Sequence, residues 1–183
     1  MSQTTNQQIF NNIPSNAFFK SQKEASNIFK KIQLFENAIG YDLDTEGFIV
    51  LHKGHQPAAI VAELPALLVI KRYGHAIEML DESYSSGKEP DVRIDGLKYF
   101  DIRQINHAKN LRNRMDKNFQ GVVNKGCSNI IIDIVQNFDK NQVMNVIRDA
   151  TKRNNGIKEI WLVYKNELYC LTRYLALNGG YIK

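Results

Sequence analysis

Residues Glu89–Gln104, EPDVRIDGLKYFDIRQ, set the reading of the whole chain. Val92 and Ile94 start an apolar alternation that stops at Asp95–Gly96, and Asp-Gly between two apolar runs is a hairpin-turn signal. The chain returns through Tyr99-Phe100-Asp101-Ile102-Arg103. Folding back would bring Asp91 near Asp101, and strand alternation turns Arg103 to the same face as Asp101. Two adjacent carboxylates repel, so such a pair implies a hard cation or one carboxyl kept protonated. A cationic side chain one strand period away could stabilise a phosphate. The same residues also suit an ordinary hairpin whose exposed carboxylates do nothing.

The chain has 183 residues, enough for one domain with a sizeable core and a small appendage. Hydrophobic residues make up 43%, which suits a soluble globular protein. The longest apolar run, Leu64–Ile70, is far too short to span a bilayer. The start, MSQTTNQQ, lacks the basic-then-apolar pattern of a signal peptide. Cys127 and Cys170 are isolated in apolar surroundings with no CxxC pattern, which favours reduced core thiols over a metal site or disulfide. The net charge of +5 modestly favours an anionic partner such as nucleic acid.

Residues 1–20 are polar and rich in Asn, Gln and Ser, and read as a lead-in. From Ser21, Ala25, Ile28, Phe29, Ile32 and Phe35 recur at helical spacing to about Asn37, with Gly40 as a stop. Residues 1–40 thus form an N-terminal lead-in and helix, and residues 41–183 an α/β domain. Asp42, Asp44 and Glu46 imitate a calcium loop, but its twelfth position is Lys53 rather than Glu, so calcium is rejected. Gly47–Lys53 reads as a strand. His52 and His55 lack a third ligand, which leaves His55 as a surface or substrate-facing histidine. A helix is expected from Ala62 to Tyr73, with Pro65 in its first turn, Glu63 at its N-terminal end and Gly74 as its C-cap. Ala76–Leu80 follows as a strand containing Glu78.

Beyond the hairpin, His107–Lys125 is amphipathic, with Ala108, Leu111, Met115, Phe119 and Val122 as its apolar stripe. Arg103, Lys109, Arg112, Arg114, Lys117 and Lys125 face a single acid, Asp116, over this stretch, a face that could follow a phosphate backbone. Asn129–Val135 reads as a buried strand and Asp139–Asn154 as a helix with Val143, Val146, Ile147 and Ala150 facing inward. Ile160–Tyr164 and Leu168–Leu171 form a strand pair across Lys165–Asn166. The order predicts an α/β (α+β) fold, a mixed central sheet flanked by helices.

A helix carrying Glu63, a Gly-ended turn, a strand, Pro90–Asp91 and then Asp101-Ile102-Arg103 resembles the PD-(D/E)XK nuclease superfamily. The likeness is greatest to the C-terminal tRNA-cleaving toxin domains of contact-dependent growth inhibition proteins, and to related polymorphic-toxin and phage-borne nucleases. It covers about Gly47–Val135. It implies a restriction-endonuclease-like core in which Glu63, Asp91 and Asp101 hold a divalent cation, most simply magnesium, and Arg103 steadies the scissile phosphate. His55, His107, Arg112, Lys117 and Gln120 become candidate substrate contacts. Arg103 departs from the family's usual Lys. Arginine stays protonated and can stabilise phosphate charge but cannot act as a base, so either metal-bound hydroxide needs no such base here, or Lys98 or Lys117 substitutes, or activity is weak or lost.

The resemblance implies an endonuclease acting on RNA, first of all tRNA, in the bacterial cytoplasm, carried there within a larger secreted toxin and countered by an immunity protein. Two rivals stand beside it. One is a non-catalytic nucleic-acid- or protein-binding module retaining the nuclease fold. The other is a DNA-cleaving or histidine-dependent nuclease using His55 or His107 as acid and base.

Overall fold

The computed structural model describes residues 37–41, 47–51, 57–80 and 90–182. The chain forms two compact units, one from residues 1–85 with 91–98 and one from 86–90 with 99–183. Both contain mixed sheets, with one described helix in the first unit and three in the second, an α+β architecture. No described helix is long and apolar enough to cross a membrane.

In the first unit, β1 (Asn37–Tyr41) pairs antiparallel with β2 (Phe48–Leu51). Strand β2 pairs parallel with β3 (Ala76–Met79), and β3 pairs antiparallel with β4 (Val92–Ile94). Helix α1 (Pro57–Arg72) supplies the connection that parallel β2 and β3 require. Ile49, Leu67, Ile70, Ile77, Met79, Val92 and Ile94 form its buried apolar set. Gly47 lies so close to the end of α1 that a Cβ there would fall 1.9 Å from the Lys71 carbonyl oxygen.

Two expectations are corrected here. Strand β1 occupies Asn37–Tyr41, where Gly40 was expected to follow a helix end; NAIGY is short, and its glycine falls inside the strand. Helix α1 begins at Pro57 rather than near Ala62, which puts Pro65 inside the helix and Glu63 in its second turn. Pro57 takes the first helical position, where a missing N–H costs nothing. The tertiary contacts of a well-buried helix, with Ala66, Leu67 and Ile70 fully enclosed, tolerate the hydrogen bond lost at Pro65. The expected helix of residues 21–37, together with His52 and His55, lies outside the described residues.

The Asp95–Gly96 turn forms as expected. Both residues have positive φ, 53° and 67°, the combination that two-residue hairpin turns use. The Leu97 N–H closes the turn on the Ile94 carbonyl at 3.1 Å, and the Asp95 carboxylate accepts from the Ala76 N–H at 2.9 Å.

In the second unit, β5 (Lys98–Ile105), β6 (Asn129–Ile134) and β7 (Glu159–Tyr164) are parallel, and β8 (Glu167–Thr172) returns antiparallel to β7. The β7–β8 turn again uses two positive-φ residues, Lys165 and Asn166. Helices α2 (Leu111–Asn124) and α3 (Lys140–Arg153) are the crossovers. Each starts at a capping side chain: Asn110 accepts from the Asn113 N–H and Asp139 from the Gln142 N–H, both at 3.0 Å. Leu111, Met115, Phe119 and Val122 of α2 and Val143, Ile147 and Ala150 of α3 pack with Ile105, Ile130, Ile132, Ile160 and Leu162. Period-2 alternation then places Asp101 and Arg103 on this helix-covered face, in line with Ile105. Phe100, Ile102, Ile131, Trp161 and Val163 occupy the other face and are buried too. A final short helix, α4 (Arg173–Asn178), was not expected; it is capped by Thr172 and ended by Gly179 in the left-handed region.

Candidate functional site

Asp101 has 0% exposure, yet it is a carboxylate in the middle of β5. Burying an anion is tolerated only with compensating charge. Two cations supply it. Lys125 Nζ donates to Asp101 Oδ1 at 2.6 Å, and Arg103 Nη2 lies 2.6 Å from Oδ2, as an ion pair rather than an aligned hydrogen bond. Arg103 reaches Asp101 because residues two apart on a strand share a face. Lys125 reaches it because α2 runs back alongside β5 and ends there, Lys125 being the helix C-cap. Its position at the C-terminal end also suits a cation. The Arg103–Asp101–Lys125 group carries one negative and two positive charges, a net attraction for phosphate.

Lys125 is the residue that sequence reasoning placed only among the basic side chains of its helix. Lys98 and Lys117 were the lysines expected to replace the missing base. The spacing of Lys125 from Asp101 gives no sign of contact, because it depends on the helix returning antiparallel to the strand.

Glu63 and Asp91 belong to the first unit and are 9% and 8% exposed. Asp91 precedes β4, and its carbonyl accepts from the Leu80 N–H at 3.0 Å. Glu78 on β3 is paired with Arg93 directly across the β3–β4 ladder. That carboxylate is matched by a structural partner. Among the described residues, no three His, Cys, Asp or Glu side chains gather as a metal-binding group.

The candidate substrate contacts divide. Arg112 points toward α3, with Nη2 3.5 Å from Asp149, and the neighbouring Asp116 is held by Arg153 at 2.7 Å. Gln120 donates to Asn124 at 2.8 Å on the exposed side. Lys117 and His107 are exposed. The expected apolar stripe of α2 is buried at Leu111, Met115, Phe119 and Val122, while Ala108 precedes the helix and is half-buried.

Both cysteines are free thiols and half-buried. Burial pushes the Cys127 thiol up from its ordinary pKa, with the Asp101 charge adding to the same shift and backbone hydrogen bonds opposing it. It is a poor nucleophile in this setting. On the opposite sheet face, burial also raises the Asp133 carboxyl, partly offset by the Gln104 amide, which donates to it at 2.9 Å.

Comparison with protein-family models, curated proteins and solved structures found no match to this chain.

Proposed function

We propose that this chain is a metal-dependent endonuclease that cleaves RNA phosphodiester bonds, with tRNA as the leading substrate, serving as a bacterial toxin domain. The observation that carries this reading is the fully buried Asp101 held between Arg103 and Lys125. Buried ion pairs add little net stability compared with well-packed apolar residues, so a triple of this kind is better explained by what its charges do. Buried charges with specific partners concentrate at functional sites.

Hard carboxylate oxygens are the donor type that magnesium selects, and Asp101 is the carboxylate of this cluster that would contribute to holding it. When bound, the cation supplies positive charge to the scissile phosphate. The Arg103 guanidinium stabilises the charge that develops on the phosphate oxygens. Lys125, unlike Arg103, can carry a proton to or from the reacting oxygens, so it fills the role that arginine cannot. Asp101 orients both.

One observation favours the non-catalytic reading: each Asp101 oxygen already faces a cation of the chain itself, so the carboxylate is balanced without a metal. The discriminating experiment is incubation of total bacterial RNA, and of plasmid DNA in parallel, with magnesium or EDTA. The nuclease reading expects magnesium-dependent tRNA fragments that disappear in Asp91→Ala and Asp101→Ala. Tight binding without cleavage would select the binding module, and undiminished cleavage in EDTA would select a histidine mechanism.

A further inference from the structure

Strand alternation lines up Tyr99, Asp101 and Arg103 on one face of β5, at steps of about 7 Å. Asp101 is closed off, Arg103 is partly open, and Tyr99, at the end of the row, is 46% exposed. Among the described residues, no hydrogen bond or ring contact engages the Tyr99 side chain. An exposed tyrosine in a strand is ordinary by itself, because its ring suits a pleated surface.

Two features set Tyr99 apart. Its backbone is fixed from outside the ladder. The β5–β6 pairing begins at Asp101 and Ile130, so Tyr99 lies beyond it. The Tyr99 carbonyl nevertheless accepts from the Asn129 amide at 2.9 Å and from the Cys127 thiol at 3.7 Å. The second feature is the neighbouring charge. The Arg103 and Lys125 side chains that meet at Asp101 are 30% and 24% exposed, so both keep an open side for an anion. A flat ring on a fixed backbone beside two cations matches the two halves of a nucleotide, base and phosphate. In a duplex each base is paired and stacked on both faces, whereas an unpaired base offers a face to a protein ring.

Resting on the nuclease reading, we infer that Tyr99 is a specificity-determining residue whose ring stacks on an unpaired nucleobase while the adjoining phosphate lies at Arg103 and Lys125. The substrate class is therefore single-stranded RNA, which in tRNA means a loop or a free end. Duplex RNA carries the same phosphates but withholds the base face, so it forgoes this contact. The ring supplies the contact, and the phenol hydroxyl is dispensable.

The test is fluorescence anisotropy in EDTA with a labelled single-stranded RNA oligonucleotide, and with the same strand annealed to its complement. Magnesium-dependent cleavage and thermal melting are followed on the same proteins. Tyr99→Ala should weaken single-strand binding about tenfold, the loss expected for one stacked base, and leave duplex binding unchanged. Tyr99→Phe keeps the ring and should bind and cleave like wild type. Both variants should melt near wild type, because the side chain is exposed. A strand of abasic nucleotides of the same length supplies a second readout. Wild type should bind it about tenfold more weakly than the base-bearing strand, whereas Tyr99→Ala should bind the two alike. A side chain with only a structural role does not produce that coupling. Wild-type affinity and cleavage in Tyr99→Ala would overturn the stacking role and leave the nuclease reading intact. Wild-type protein that binds the single strand without cleaving it, with Tyr99→Ala binding about tenfold more weakly, would uphold the stacking role and overturn the nuclease reading. Wild-type protein that binds neither strand would overturn both.

Discussion

Lys125 Nζ and Asp101 Oδ1 lie 2.6 Å apart, which ties the C-cap of α2 to the middle of β5. Asp101 is fully buried, whereas the Lys125 side chain is 24% exposed. Removing the lysine leaves a buried carboxylate with Arg103 as its remaining cation from this pair of contacts. Lys125→Met should therefore lower stability by about 1.5–3 kcal/mol, the usual worth of a hydrogen bond to a charged group, as read by urea denaturation. Lys125→Arg should keep most of that stability while losing cleavage, because a guanidinium does not give up its charge to act as a base. Full activity in Lys125→Arg would remove the proton-carrying role from this residue.

Asp133 gives a pH-dependent prediction. Its folded-state carboxyl titrates above its ordinary value because burial disfavours the anion. The folded protein therefore binds more protons than the unfolded one between the two pKa values. The stability this contributes is full below the unfolded pKa and is lost as pH rises through the folded pKa. Asp133→Asn removes the penalty and can still accept from Gln104. It should melt higher than wild type at pH 7, with the gain disappearing below about pH 4. A gain independent of pH would contradict the burial argument.

Gly47 is required by a close approach rather than by its dihedral angles. A Cβ would sit 1.9 Å from the Lys71 carbonyl oxygen, and a backbone atom cannot swing aside. Gly47→Ala should cost about 1–3 kcal/mol, as overpacking does, and denaturant unfolding would measure it.

The Asp95–Gly96 turn holds Gly96 at φ 67°. Gly96→Ala should cost about 1–2 kcal/mol, the usual penalty for a side chain in the left-handed region. Gly96→Asn should cost less, since asparagine tolerates that region.

The second unit was legible in the sequence because its signals agree. NIIIDIV has the length and apolar continuity of a central parallel strand, and Leu111, Met115, Phe119 and Val122 keep strict helical spacing. Lys165–Asn166 announces its turn chemically, as Asp95–Gly96 does in the first unit. The first unit was less legible. NAIGY is too short to separate a strand from a helix end, and Pro65 suggested a helix start because sequence alone does not show that burial offsets an interior proline. Helix α4, six residues long, offered too few positions for periodicity, although Thr172 before it and Gly179 after it were available as capping signals. Within the site, the Asp101–Arg103 pair followed from strand alternation. The Lys125 contact did not, because it depends on where α2 ends relative to β5.

The most direct test of the central claim uses 3′-end-labelled bacterial tRNA with purified wild type and Asp101→Asn, each shown to be folded by circular dichroism. The nuclease account predicts discrete magnesium-dependent fragments from wild type and at least a hundredfold slower cleavage by Asp101→Asn, in line with the loss of an essential catalytic group. Equal cleavage by a folded Asp101→Asn, or none by wild type in magnesium, would contradict it.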